Sequence, residues 1–454
     1  MLTMSFLRAV GLASIWLLPG AIAQLPTDST AGITLVSGSS ALSTTERRTP
    51  TGTYQSFSSK ISLGTSSSSS SVTIAPNATT TDSRSTRSST TDSLTLISGS
   101  PKSSSTTMSG NFSTTPSASP SASPVNSRPC NNYPEFCNRK YSNITMVAAH
   151  NSPFVRTGSA AANQQYTVKT QLDDGVRFLQ AQIQFSANDT VPHFCHTSCD
   201  ILDAGPITDW LTQVREWIED SNNRYEVVTI LLGNGNYSQP DKYAPYIEQT
   251  GLTNYVYTPP VVPMNLTDWP TLGEMIISNK RVVMFLDYNA NQTAYPWLQD
   301  EFSQLWETPF DPVDQTFPCT VQRPPDLPAD QAKARMYMTN HNLNVEISVL
   351  GSSLLVPAVS VLNQTNNVTG TGSLGLAAEN CRTEWGRAPN FLNVDYYNYG
   401  GYPGSVFEVA AKMNNVTYTR ACCGMPVSGA GMREVFGGLL TSVVLGWGVV
   451  WLLG

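Results

Sequence analysis

The sequence predicts an α/β fold: a TIM-type (β/α) barrel over residues 129–424, preceded by a disordered Ser/Thr-rich stalk over 24–128. Three observations lead there. Apolar runs of strand length alternate with amphipathic helical patterns in the second part of the chain, the signature of a parallel sheet covered by helices. That part is roughly 300 residues long, which suits one large α/β domain. Histidines and strand-end aspartates fall where the runs finish, on the rim where such barrels carry their chemistry.

The chain opens with "MLTMSFLRAVGLASIWLLPGAIAQ", in which Arg8 precedes an apolar run and Ala21-Ile-Ala23 stands before Gln24. This reads as a secretory signal peptide at 1–23. From 24 to 128 the composition is Ser and Thr with scattered Pro and Gly, as in "GTSSSSSSVTIAP". Such a segment buries too little apolar surface to offset its conformational entropy and reads as an O-glycosylated stalk. N-x-S/T sequons recur, among them Asn143, Asn188, Asn236, Asn265, Asn291 and Asn415; they agree with export.

The barrel strands are expected at "ITMVAAH" (144–150), "VRFLQAQIQF" (176–185), "EVVTILLG" (226–233), "RVVMFLDY" (281–288) and "NFLNVDYY" (390–397). A shorter strand-like piece covers 191–195. The helical patterns lie after 204 ("GPITDWLTQVREWIEDSN"), at 269–279 and at 405–415.

The C-terminal "FGGLLTSVVLGWGVVWLLG" is apolar for about 19 residues, enough to span a bilayer, and nothing charged follows it. Small residues Ser428, Gly429, Ala430 and Gly431 and a short polar spacer precede it. Together, 425–454 read as a GPI-attachment signal, with an ordinary membrane helix as the alternative. The expected location is extracellular, at the cell surface, GPI-anchored to the plasma membrane or cell wall. The net charge of −7 and the lack of a basic run argue against a nucleic-acid partner.

All eight cysteines lie in the barrel region. In a secreted chain an even count implies disulfides, and local spacing favours Cys130 with Cys137 and Cys195 with Cys199. The pairing among Cys319, Cys381, Cys422 and Cys423 is left open. The stretch "VPHFCHTSCD" (191–200) interleaves His193 and His196 with Cys195 and Cys199. Those are zinc-type ligands, but an oxidising compartment favours bonding the two sulfurs to each other.

Two imidazoles on one rim suit general base and general acid chemistry, because their ordinary pKa lies near working pH. His150 closes the first expected strand, His196 follows 191–195, and His341 follows "RMYMTN". Asp287 and Asp395 stand near strand ends, where they serve either the site or the cap of the next helix. Gln180, Gln182 and Gln184 share one strand face; Arg177 points to the other, toward the helical layer.

In motif order and spacing, "ITMVAAHNSPF", "TQLDDGVRFLQAQIQ", "HFCHTSCDILDAG" and "WIEDSNNRYEVVTILL" resemble the phosphatidylinositol-specific phospholipase C catalytic (X) domain, nearest to the secreted fungal PLC-like phosphodiesterases. The resemblance covers about Cys130 to Cys423. It implies a TIM barrel with His150 as general base, His196 as general acid and Asp395 holding the base, and His193 as a structural or rim residue. The implied reaction is attack of an inositol 2-hydroxyl on phosphorus, giving a cyclic phosphate and a lipid alcohol. The implied substrate is a membrane phospholipid or glycolipid, and the protein a monomer. Animal members hold calcium with Asn after the first His, a Glu-x-Asp pair and a further Glu. Here those positions read Asn151, Gln180, Gln182 and Gly233, and the Arg of bacterial members also falls on Gln182. No cofactor is therefore expected, and Asn151, Gln180 and Gln182 become substrate-binding candidates. The alternative is a barrel that has lost catalysis and serves as a wall or binding protein. A glycerophosphodiester hydrolase is weakened by the lack of a carboxylate metal site.

Overall fold

The structure, a computed structural model, describes residues 53–63, 128–155, 159–186, 190–349, 352–420 and 423. The expected signal peptide and GPI-attachment signal lie outside the described residues, as does most of the stalk. Among the described residues no helix is long and apolar enough to cross a membrane.

In chain order the strands are β1 (Met146–Ala149), β2 (Phe178–Phe185), β3 (Pro192–His196), β4 (Leu202–Pro206), β5 (Val228–Asn234), β6 (Val282–Leu286), β7 (Leu298–Asp300), β8 (Leu305–Glu307), β9 (Met336–Asn340), β10 (Asn344–Val349), β11 (Ser352–Pro357) and β12 (Phe391–Val394). The main helices are α1 (Val168–Asp174), α2 (Ile207–Glu219), α3 (Leu272–Ile277), α4 (Glu301–Gln304), α5 (Leu374–Trp385) and α6 (Val406–Met413). The parallel sheet runs β8-β9-β12-β1-β2-β5-β6-β7. Each barrel strand thus lies beside the one before it, and β12 returns to β1 in parallel register. No pairing joins β7 to β8 among the described residues, so the curled sheet is an incomplete barrel, open along one seam that α4 bridges. β3 and β4 form an antiparallel ribbon on the end of β2, and β10 and β11 form a separate hairpin.

Side-chain alternation sorts the core into two layers. Val147, Leu179, Ile230, Met284 and Leu392 point outward and pack under the helices. Helix α2 meets them with Ile207, Leu211, Val214 and Ile218, an apolar stripe at helical spacing. Met146, Phe178, Leu231, Phe285, Met338 and Phe391 form the second cluster, in the barrel interior. Arg177 points outward as expected: its Nε donates to Glu226 at 2.9 Å and its guanidinium lies over Trp217 of α2.

Two differences from the sequence reading concern function. The short strands β7 and β8 carry no recognisable β pattern, and they flank the seam. Residues 53–63 of the expected stalk pack on the barrel: Ile61–Ser62 pair antiparallel with Val261–Val262.

Candidate active site

Along each interior-facing column the residues change from apolar to polar toward the strand C-termini. Met146 and Ala148 lead to His150, Phe178 to Gln180 and Gln182, Met338 to Asn340, and Phe391 to Asn393 and Asp395. The packed floor is apolar and the mouth polar.

His150 leaves β1 with its backbone N–H on the Val394 carbonyl, 3.0 Å away. Asn151 then turns the chain in the left-handed region, φ 48°, and Ser152 N–H donates to the Gln180 carbonyl. The imidazole is anchored: Nδ1 lies 2.7 Å from Asp395 Oδ1, with the carboxylate buried and the ring partly open to the mouth. Asn163 Nδ2 donates to the same oxygen at 2.9 Å. It also lies 3.2 Å from His150 Nδ1, but that nitrogen carries its proton toward Asp395, so the amide bonds the carboxylate rather than the ring. Nε2 remains as the basic nitrogen facing the mouth.

His196 ends β3. Disulfide Cys195–Cys199 closes the turn behind it, and Thr197 adopts a left-handed φ of 60° within that loop. Phe154 packs edge-on against the ring at 5.3 Å, and Thr197 Oγ1 lies 3.3 Å from its Nδ1. Burial, and secondarily the charge of His150, push its pKa down to about 4. That ring rests neutral at physiological pH and takes up a proton readily only when a negative charge is brought beside it.

The amides line the space between. Asn393 Nδ2 donates to Gln180 Oε1 at 3.1 Å and to Asn340 Oδ1 at 2.9 Å. Gln182 Oε1 accepts from Gln184 Nε2 and from Thr197 N–H, each at 3.3 Å. The polar layer continues to Glu307, which accepts from Asn340 Nδ2 at 3.3 Å and Arg323 Nη1 at 3.0 Å. Arg323 Nη2 reaches Asp287 and the Tyr288 hydroxyl. Burial raises Asp287 to about 6 against the pull of Arg323. Glu301, facing Glu307 in the same buried cluster, is pushed well above the ordinary carboxylate range by burial and by the Glu307 charge. Asp287 is therefore neither a helix cap nor a partner of His150.

The other histidines separate from the site. His193 pairs through Nδ1 with Asp203 across the ribbon at 2.8 Å. His341, expected on the rim, is buried, its Nε2 bonded to the Thr365 carbonyl at 2.9 Å and its ring against Phe317. Burial holds it neutral, with a pKa near 4. It anchors the short helix Leu362–Thr365 that follows β11.

The zinc alternative for 191–200 fails on chemistry, since both sulfurs are spent in the disulfide. Among the described residues no group of three or more His, Cys, Asp or Glu side chains converges as for a metal ion. Disulfides Cys130–Cys137 and Cys319–Cys381 are present, the second resolving part of the pairing left open. Cys423 is disulfide-bonded as well, and Cys422 lies outside the described residues.

Sequence reasoning missed Asn163, Asn340, Asn393, Glu307 and Arg323. Asn393 was visible, two positions before Asp395 and on the same face of an apolar strand. Asn163 sits in a loop and gives no periodic signal.

The family model for the PI-PLC X domain, PI-PLC X 1, matches residues 136–414. A protein from Arthroderma benhamiae named "Uncharacterized secreted protein" is 52% identical over 323 residues, 71% of this chain and 72% of its own length. A second protein of that organism, PI-PLC X domain-containing protein 1, is 37% identical over 63% of this chain and 90% of its own length. A solved structure of phosphatidylinositol-specific phospholipase C from Staphylococcus aureus is similar at a TM-score of 0.41 and 15% identity, covering 62% of this chain and 95% of that one. The family match takes in most of the barrel and more than half of the chain: the chain belongs to the PI-PLC X domain family.

Proposed function

We propose that the protein is a secreted, cell-surface phosphodiesterase that cleaves inositol phospholipids or related diesters. The observation that carries this is the His150–Asp395 pair, 2.7 Å apart at the strand C-termini, with a second imidazole, His196, on the neighbouring ribbon. His150 Nε2 takes the proton of the attacking hydroxyl while Asp395 stabilises the imidazolium that forms. His196 gives a proton to the leaving oxygen, once the phosphate's charge has raised its pKa. Asn151, Gln180 and Gln182 would orient the substrate, and amide and backbone N–H groups would stabilise developing charge. The similar secreted protein of Arthroderma benhamiae supports export, and the terminal apolar tail supports a GPI anchor on a monomeric enzyme. No metal is assigned.

A second reading, a catalytically degenerate binding barrel, is favoured by one observation. Gln182 and Gly233, side by side in register, supply neither a cation nor a carboxylate. The test is release of labelled inositol phosphate from phosphatidylinositol vesicles by the full chain, alongside His150→Ala and His196→Ala. Losses on the order of 10²-fold or more are expected in both variants. Wild type indistinguishable from both would favour the binding protein.

A further inference from the structure

The barrel's open seam is covered by a piece of chain that composition assigns to the stalk. Tyr54 stands its ring edge-on against Phe302 of α4, centroids 4.8 Å apart, and against Tyr288 at 5.6 Å. Its hydroxyl lies 3.3 Å from the Tyr288 hydroxyl, which accepts from Arg323 at 2.9 Å. Gln55 Nε2 donates to the Ala290 carbonyl at 2.6 Å, Lys60 pairs with Asp268, and Leu63 N–H donates to the Pro260 carbonyl at 3.0 Å. An aromatic ring, an amide, a cation and a short β pairing thus meet complementary groups over the ten residues from Tyr54 to Leu63. This set is too specific for a random contact of a low-complexity tail.

It is also too small to be permanent. Tyr54 is half-buried, the Lys60 pair is exposed, and Ile61 and Ser62 are exposed despite their pairing. An exposed ion pair and a two-residue ladder contribute little on their own. A contact of this size opens by local fluctuation rather than by unfolding of the barrel.

We propose that residues 53–63 are a reversible intramolecular ligand of the barrel, a latch whose Tyr54 seals the seam between β7 and β8. The surface formed by Val261–Val262, Asp268, Tyr288, Ala290 and Phe302 is a recognition groove for an extended segment of this chemistry, and its occupant is this chain's own. Closed, the latch keeps the Arg323, Glu307 and Asp287 cluster dry. Open, it admits water to the cluster, which hydrogen bonds link through Asn340 and Asn393 to Gln180.

The test uses the full chain with a protease site placed between 64 and 127, and it reads association and amide hydrogen exchange rather than catalysis. Its failure is therefore separate from failure of the phosphodiesterase reading. After cleavage the N-terminal piece should co-elute with the barrel at high protein concentration and leave on dilution to low micromolar. Exchange at 261–262 and 288–302 should then rise several-fold. Without cleavage, Tyr54→Ala and Leu63→Pro should each raise exchange at those two segments, and Tyr54→Phe should raise it less. Equal exchange in wild type, both variants and the cut protein would overturn the proposal. So would a cut piece that stays bound at nanomolar dilution, which makes the segment a fixed part of the fold.

Discussion

Asp395 Oδ1 and His150 Nδ1 lie 2.7 Å apart although 245 positions separate them in sequence. The contact exists because β12 pairs in parallel with β1, Val394 opposite Ala149, so the next residue of each strand emerges side by side. Asp395 keeps a second buried oxygen, Oδ2, without a hydrogen-bond partner, and Asn163 Oδ1 is likewise unpartnered. Buried acceptors left without a partner cost stability.

Asp395→Asn should preserve the fold and abolish the proper tautomer. The amide fills the same space but lets Nδ1 become the acceptor, turning Nε2 into a donor. A loss of about 10²–10⁴ in kcat is expected, in line with the same change in a serine-protease triad. Asn163→Ala should cost less, roughly tenfold in kcat. A wild-type kcat in Asn163→Ala would limit Asn163 to packing.

His196 carries a pH dependence with a definite sign. Its native pKa of about 4 lies below the unfolded 6.5, so the native state resists protonation. Its contribution to stability is complete above pH 6.5, declines as pH falls to about 4, and is constant below that. The difference corresponds to ~3 kcal/mol. Asp287 and Asp300, raised by burial, act in the opposite sense, so the measurement is a comparison. Stability of wild type relative to His196→Gln, from denaturant titrations at pH 7.5 and pH 4, should drop by that order. Equal pH dependence in the two proteins would mean that His196 is hydrated and not held neutral.

The Cys195–Cys199 bridge should matter more to rate than to stability. Closing so short a loop removes little chain entropy, ~2 kcal/mol in the loop-closure picture, a fall of several degrees in Tm. The bridge also confines the His196 turn, where Thr197 is left-handed. The double variant Cys195→Ala, Cys199→Ala should therefore lose on the order of tenfold in kcat or more while remaining folded at 25 °C. A variant with full kcat and only a lowered Tm would make the bridge purely structural.

What the sequence could disclose follows from local pattern. Five of the eight barrel strands show as apolar runs, because strands covered on both faces are nearly continuous in Val, Ile and Leu. His150 and Asp395 are legible because they end such runs. β7 and β8 are three residues each, Leu298–Asp300 and Leu305–Glu307, and hold their place by burial of Leu298, Leu305 and Trp306 rather than by propensity. His341 misleads because a strand-end position does not specify whether the next turn folds into solvent or under a loop. Arg323 and Glu307 meet through an isolated antiparallel bridge, Glu307 N–H donating to the Arg323 carbonyl at 2.8 Å, and a one-residue bridge leaves no periodic signal. Tyr54 is hidden deepest: in a Ser-rich stretch one aromatic residue has no periodic partner to mark it.

The last expectation concerns calcium. Residues Gln182 and Gly233 are opposite each other in the β2–β5 register, and Asn151, Gln180 and Gln182 together supply neutral oxygens only. A divalent ion held without carboxylates meets its dehydration cost with little Coulombic return. Initial rates on phosphatidylinositol vesicles should therefore be equal in EGTA and in added calcium. The geometry allows the opposite behaviour to be installed. A Cβ at Gly233 would lie 3.6 Å from Gln182 Cα and Cγ, ordinary contact distance. A carboxylate there would project beside residue 182. The triple variant Gln180→Glu, Gln182→Asp, Gly233→Glu should bind calcium by calorimetry, where wild type does not, and its activity should become EGTA-sensitive. In contrast, Gln182→Arg should raise the calcium-independent rate by placing a cation beside the phosphate. A wild-type rate that disappears in EGTA and returns with calcium would mean that the ion is held by ligands other than these four positions. A triple variant that folds but binds no calcium would mean that the mouth is closed to the ion by shape rather than by charge.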